Sequence, residues 1–395
     1  MIDSNQRDNR DTGGVPGAGT RAGGVPEGAS GDAGGALGAV GDEKLRPNQK
    51  TRRVMVGGVP VGGGSPVAVQ SMLNAPAHDV AANVAQIEAL AAAGCEIVRM
   101  AVPHRDCLDA FAQVCAASPL PVVADVHFDV QIAICAARRG AAKLRINPGN
   151  IGGLAKTDAV IDAAGEAGIP IRIGVNAGSL DSELAVRDDM TLAQKLAASA
   201  AGYVRYFKER GFFDVVVSAK AHDVRTTIAT YRLLSRELPH LPLHIGVTEA
   251  GTAFQGIVKS ACGLGVLLEE GIGDTMRISL TDDPVREVQA CWTLLAALDL
   301  RRRGPEIISC PTCGRCQVDL IGLAKQVEKR LEGVRRPVKV AVMGCVVNGP
   351  GEAADADIGV ACGAGAGVVF ACGNVVRKVD EADIVDALME EIEKL

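Results

Sequence analysis

The stretch PVVADVHFDVQIAICAARRGAAKLRIN, residues 121–147, contains one whole structural period. Residues 121–125 are a short apolar run, 129–139 carry helical periodicity, and 142–147 open the next apolar run. Continuous runs of Val, Ile and Leu suit strands covered on both faces, as in a parallel sheet. The period extends in both directions. Strand-like runs at 67–71, 96–100, 170–175, 214–219, 241–247 and 274–280 alternate with helical stretches at 79–93, 105–117, 154–167, 192–210, 224–237, 256–270 and 284–300. Eight strand–helix units in about 240 residues predict a TIM (β/α)8 barrel, an α/β fold. An open doubly wound sheet competes, but no G-x-G-x-x-G follows the first strand. Ahead of the barrel, residues 53–56 and 67–71 flank the Gly-rich segment 57–66, which predicts a hairpin leading into the first strand.

Composition sets the frame around this core. With 395 residues and 48% apolar side chains the chain can build two domains. Residues 1–46 are rich in Gly, Ala, Asp and Pro and are expected to form a disordered leader. The barrel is expected over 47–300. The Arg-Arg-Arg-Gly-Pro run at 301–305 reads as a linker, and 306–395 as a small α/β unit with a helix at 319–331, a strand at 338–343 and a last helix at 381–394. Aromatics at 3% and a net charge of −6 argue against nucleic acid as a partner. Twelve cysteines without a signal peptide point to a reducing cytoplasm, and no run of about 18 apolar residues suggests a membrane span.

The second unit carries concentrated soft ligands. Cys310 and Cys313 form a C-x2-C turn, and Cys345 sits in a Gly-rich loop after the apolar run 338–343. Three thiolates fall one short of the usual set for an iron–sulfur cluster. The carboxylate of Glu352, on the same loop as Cys345, is the nearest candidate for the fourth. Such an oxygen ligand would leave one iron open to a substrate oxygen. Cys316 makes the run C-x2-C-x2-C, so a structural zinc site of four thiolates fits the spacing equally well. The remaining cysteines before residue 300 are scattered and read as small buried hydrophobes.

In a barrel, chemistry gathers at the carboxyl ends of the strands. Those ends carry Gln70 and Ser71, Arg99, Asp125 and His127, Arg145 and Asn147, Arg172 and Asn176, Ser218 and Lys220, Thr248 and Glu249, and Arg277 and Ser279. Five cations, Arg99, Arg145, Arg172, Lys220 and Arg277, would converge on one rim. They would repel one another unless an anion lay among them, and the planar Arg fork suits phosphate. The expected ligand is a small molecule with at least two negative charges, a diphosphate above all. His127 and His244 are candidates for hydrogen bonds to it, as are Asn176 and Ser279. Glu249 could act as a general acid or base, or else pair with a rim arginine.

Taken together, Val69–Met72, Leu144–Asn150, Ile171–Ser179, Thr248–Gly251, Cys310–Cys313 and Gly344–Glu352 resemble the 4-hydroxy-3-methylbut-2-enyl diphosphate synthases. These are bacterial iron–sulfur enzymes of the non-mevalonate isoprenoid pathway. The resemblance covers about residues 50 to 380. It implies a TIM barrel followed by a cluster domain, with one 4Fe–4S cluster held by Cys310, Cys313, Cys345 and Glu352. It implies reductive ring opening and dehydration of 2-C-methyl-D-erythritol 2,4-cyclodiphosphate, with two electrons from ferredoxin or flavodoxin. It also implies a head-to-tail homodimer, in which each cluster domain closes the partner's barrel. Two features depart from the family pattern. Met72-Leu73-Asn74-Ala75 stands where Thr-Asn-Thr is usual after the Met, and Cys316 is an extra cysteine read as a bystander. The alternative to the reductase is a zinc-stabilised barrel that binds a phosphorylated ligand without redox chemistry.

Overall fold

The computed structural model describes residues 50–180, 182–345 and 356–395. The expected leader, residues 1–46, and Glu352 lie outside the described residues. The first elements are a tight hairpin, β1 (Val54–Val56) and β2 (Val59–Val61), joined across Gly57 at φ 56°. This corrects the sequence expectation. Residues 53–56 pair within the Gly-rich segment rather than with 67–71, because Gly57 permits a left-handed turn two residues wide.

Eight strands then alternate with helices: β3 (Ala68–Met72), α1 (Val80–Ala93), β4 (Ile97–Ala101), α2 (Leu108–Ala117), β5 (Val122–Asp125), α3 (Val130–Arg138), β6 (Lys143–Ile146), α4 (Leu154–Ala167), β7 (Ile171–Asn176), the short α5 (Ser182–Ala185), α6 (Leu192–Glu209), β8 (Val215–Lys220), α7 (Val224–Glu237), β9 (His244–Ile245), α8 (Ala253–Glu269), β10 (Thr275–Met276) and α9 (Pro284–Ala297). The parallel sheet runs in the order β8-β7-β6-β5-β4-β3-β10-β9, and a bridge from Val217 to Leu243 brings its two edges together. Local sequence explains many of the helix starts. Asp79, Asp129, Asp223 and Asp283 each accept a backbone N–H of the first turn, and Thr191 forms a capping box with Gln194.

The hairpin plugs one end of this barrel. Val54, Val56 and Val61 pack against Ala68, Ile97, Val123 and Val216, which project into the lumen from the early parts of their strands. The opposite, carboxyl end is therefore the open mouth. After α9 the chain is pinned to the plugged end. Arg301 donates to the carbonyl of Val67 at 2.6 Å and to both carboxylate oxygens of Glu96, and its guanidinium stacks 4.7 Å from the Trp292 ring.

The C-terminal unit has its own core under a five-stranded sheet: β11 (Glu306–Ser309), β12 (Lys339–Met343), β13 (Ile358–Gly363), β14 (Ala366–Ala371) and β15 (Asn374–Asp380). The first three strands are parallel and the last two antiparallel. Helices α10 (Leu320–Leu331) and α11 (Ile384–Lys394) cover the sheet through Leu320, Leu323, Val327, Ile384 and Leu388. Sequence reading found both helices and one of the five strands. The other four were not read as strands, and two of them, β13 and β14, lie in Gly- and Ala-containing segments of weaker β-propensity.

Candidate active site

Strand register sorts the inward side chains into stacked layers of four from alternate strands. Nearest the plug lie Ile97, Lys143, Val216 and Thr275. Above them come Gln70, Val123, Arg172 and His244. The next level holds Arg99, Arg145 and Ser218, with Arg277 just past β10. Met72, Asp125, Gly174 and Gly246 follow, and Asn147, Lys220 and Ser279 approach the mouth.

The lumen is polar almost to its floor. Arg145 Nη1 donates to Asp125 at 3.1 Å and lies 2.8 Å from His127 Nε2. Arg99 faces the same Asp125 carboxylate at 3.6 Å and donates to the Met72 sulfur. Arg277 grips Glu287, a buried carboxylate of α9, with two contacts of 3.0 Å, and Glu287 also accepts from Ser71 and from the Leu280 N–H. Two glycines make room for the cations. A Cβ on Gly174 would lie 2.6 Å from Arg145 Nε, and one on Gly246 would lie 2.6 Å from Lys220 Nζ.

Six cations, Arg99, Lys143, Arg145, Arg172, Lys220 and Arg277, thus border the lumen against two described carboxylates, Asp125 and Glu287. The electrostatics follow. Burial opposes the charge on Asp125, yet Arg99, His127 and Arg145 hold its carboxyl well below the usual range. Burial, and then the neighbouring arginines, push Lys143 and Lys220 well below the ordinary lysine range. The same causes keep His244 neutral. Arg172 is only 1% exposed, and among the described residues its Nε and Nη1 have no partner; the Gln70 amide, the Lys143 Nζ and His244 Nε2 are likewise buried and unpaired there. Buried polar atoms of this kind normally face a ligand or water.

The structure corrects two placements made from sequence. Arg172 is the second residue of β7, and lies inside the barrel rather than on its rim. His244 begins β9 instead of ending a strand; it is fully buried, with its Nδ1 3.4 Å from the Thr275 hydroxyl. Arg99, Arg145, Lys220 and Arg277 do converge, but in tiers, and Asp125 and Glu287 offset part of their charge. His127 and Asn176 stand nearer the mouth, and Ser279 is half-buried there. Glu249 is exposed in the loop after β9 and adopts φ 53°. That conformation is uncommon for a non-glycine residue and clusters at functional sites. Among the described residues Glu249 makes no ion pair with a rim arginine. Sequence reading missed Lys143, Met72, Glu287, Gly174 and Gly246. Lys143 was findable, since period-two alternation places it on the face of Arg145 in an otherwise apolar run.

In the C-terminal unit, register does what spacing only suggests. Ser309 pairs with Val342 in parallel strands, so Cys310 and Cys345 emerge from neighbouring strand ends despite 34 intervening positions. The Gly344 N–H donates to Cys310 Sγ at 3.2 Å. Hydrogen bonds to the sulfurs are one of the levers that tune cluster thiolates. Cys316 instead donates its own proton to the Val318 carbonyl at 3.3 Å. No three sulfurs of Cys310, Cys313, Cys316 and Cys345 lie mutually within 4.8 Å among the described residues. A tetrahedral zinc with Zn–S bonds of about 2.3 Å would need edges of roughly 3.8 Å. Cys362, which the sequence reading did not single out, is buried in the same unit, and burial pushes its thiol up to about 12.

Comparison with known proteins agrees over both units. Residues 51–292 match the GcpE TIM-barrel domain and residues 306–394 the GcpE protein C-terminal domain. The chain is 54% identical over 346 residues to the 4-hydroxy-3-methylbut-2-en-1-yl diphosphate synthase (flavodoxin) of Geobacter sulfurreducens, covering 88% of this chain and 98% of that one. It is 51% identical to the protein of the same name from Maridesulfovibrio salexigens, over 87% and 96% of the two chains. With the Aquifex aeolicus protein, again of that name, identity is 47% over 88% and 97%. The chain belongs to the GcpE family.

Proposed function

We propose that this protein converts 2-C-methyl-D-erythritol 2,4-cyclodiphosphate to 4-hydroxy-3-methylbut-2-enyl diphosphate. The reaction opens the ring and releases one oxygen as water. Two electrons and the protons that complete the water balance it, and flavodoxin, the donor in the relatives' names, supplies the electrons. The observation that carries this reading is the excess of cations over carboxylates in the lumen. A cyclic diphosphate brings the two negative charges that such a lumen lacks, and it presents phosphate oxygens to Arg forks.

Arg99, Arg145 and Arg277 would hold the diphosphate from one tier, Arg172 from below, and Lys220, Asn176 and Ser279 from nearer the mouth. His127, already on Arg145, would orient it. Glu249, exposed at the mouth and without an ion pair among the described residues, would give or hold a proton for the departing oxygen. Cys310, Cys313 and Cys345 would hold a 4Fe–4S cluster with Glu352 as fourth ligand, and the N–H donated to Cys310 suits a thiolate there. When bound, that cluster supplies the electrons one at a time.

We also propose that the working site joins two chains. Arg301 is held at the plugged end, and Cys310 follows only nine residues later. Nine extended residues reach about 30 Å, and four of them are committed to β11. A barrel whose α9 has 14 residues is already roughly 21 Å tall before its loops. That leaves little chain to carry the cysteines over their own mouth, and a head-to-tail homodimer removes the difficulty. No described helix is long and apolar enough to cross a membrane.

The direct test is anaerobic turnover. Iron-loaded protein with reduced flavodoxin should consume the cyclic diphosphate and release the linear product. Iron-loaded, reduced protein that leaves the substrate intact would refute the reading.

A further inference from the structure

Two βα loops meet at the mouth side of the barrel, away from the lumen. His78 belongs to the loop between β3 and α1, and Asp106 and Cys107 to the turn just before α2. His78 Nε2 lies 3.4 Å from Cys107 Sγ and 3.9 Å from Asp106 Oδ1, and Cys107 Sγ lies 3.6 Å from the same Oδ1. A tetrahedral zinc with bonds of about 2.0–2.1 Å to nitrogen and oxygen and about 2.3 Å to sulfur has ligand edges of roughly 3.3–3.6 Å. The two edges to sulfur lie within about 0.2 Å of their expected values, and the His78–Asp106 edge, a nitrogen–oxygen pair that should measure roughly 3.3 Å, must close by about 0.6 Å.

We propose that His78, Asp106 and Cys107 bind one zinc ion, with water in the fourth position. The donors are an imidazole, a carboxylate and a thiol, a mixed set that suits zinc. The burial pattern suits capture from solvent. Cys107 is fully buried, while the side chains of His78 and Asp106 are 61% and 71% exposed. The adjacent cation does not compete for the carboxylate, because Arg105 is turned onto Asp129 at 2.7 Å. A bound ion would tie the β3–α1 loop to the segment leading into α2, two walls of the mouth next to Met72 and Arg99. Sequence gave no sign of this, since His78 stands 28 residues from Asp106 and only the parallel pairing of β3 with β4 brings their loops together.

The test uses iron-loaded protein, so that Cys310, Cys313 and Cys345 are engaged. The protein is dialysed without oxygen against micromolar Zn(II) and desalted, and zinc and iron are counted. The expected result is one zinc per chain, with a single sulfur neighbour at the zinc absorption edge. That equivalent should be lost in Cys107→Ser and in His78→Ala, while iron content and turnover stay as in the parent. Should Cys107→Ser fold poorly, the exposed His78→Ala and Asp106→Asn variants carry the test. Retention of no zinc by the parent, equal retention by the His78 and Asp106 variants, or two or more sulfurs around the zinc would overturn the proposal.

Discussion

The barrel lumen and the cysteine-bearing sheet reach function by opposite routes. The lumen spreads charge over depth: one or two polar side chains per strand, stacked in tiers, with Asp125 and Glu287 tying some of the cations down. The C-terminal sheet concentrates its candidate cysteines beyond the ends of two neighbouring parallel strands, and keeps its interior apolar. A lumen built this way recognises an extended anion and tolerates loss of a single contact. A site built at strand ends depends on every donor. The two regions should therefore respond to substitution by different amounts and in different observables.

The largest effect outside the candidate cluster cysteines is expected at Glu249. Glu249→Gln keeps the size and the exposed position but loses the ionisable oxygen. General acid–base contributions are typically about 10²–10⁴-fold, so turnover should fall by roughly that factor while iron content, fold and substrate affinity persist. Loss of iron or of the folded state in this variant would move Glu249 from chemistry to structure.

A smaller effect is expected in the middle of the lumen. Arg145→Lys keeps the charge but loses the fork that reaches Asp125, His127 and a phosphate together. Charge-assisted hydrogen bonds are worth about 1.5–3 kcal/mol, so apparent substrate affinity should weaken roughly 10- to 100-fold with the cluster spectrum unchanged. Unchanged affinity would break the tiered picture of the lumen.

The smallest effect on substrate is expected at the floor. Lys143 lies two tiers below Arg145, and its Nζ has no partner among the described residues. Removing a buried unsatisfied group recovers on the order of 1–3 kcal/mol, so Lys143→Met should be more stable at neutral pH and change affinity less than Arg145→Lys. The pH dependence has a definite sign. The folded-state pKa of Lys143 lies below its ordinary value of 10.5, so the unfolded chain binds more protons between the two values. The parent's stability should therefore gain from Lys143 as pH rises toward 10.5. Denaturant titrations at neutral and alkaline pH should show that gain in the parent and a flatter profile in Lys143→Met.

How much of this was legible in sequence differs between the two regions. The barrel was readable because each βα unit repeats the same two periods. Depth within a strand was not. Arg172 and His244 looked like strand ends, since an apolar run does not reveal where the lumen narrows, and His244 in particular sits in a run of which two residues form strand. The partners of the cations were hidden as well: Glu287 belongs to a helix, and reaches Arg277 only through the packing of α9 behind β3 and β10. In the C-terminal unit the reverse holds. The cysteines stood out by spacing, while most of the sheet that carries them did not, because only the apolar run 338–343 was read as a strand. No local signal could pair His78 with Cys107, whose meeting depends on β3 lying beside β4.

The most direct test of the central claim, that lumen and cysteine sheet are two halves of one site contributed by different chains, is a mixed dimer. Glu249→Ala chains and Cys345→Ser chains are each expected to be inactive alone. Combined into a heterodimer, one site would pair the intact barrel of the Cys345→Ser chain with the intact cysteine unit of the Glu249→Ala chain, and the cyclic diphosphate should again be consumed. A heterodimer that demonstrably forms, carries iron on its Glu249→Ala chain and still shows no turnover would contradict the account.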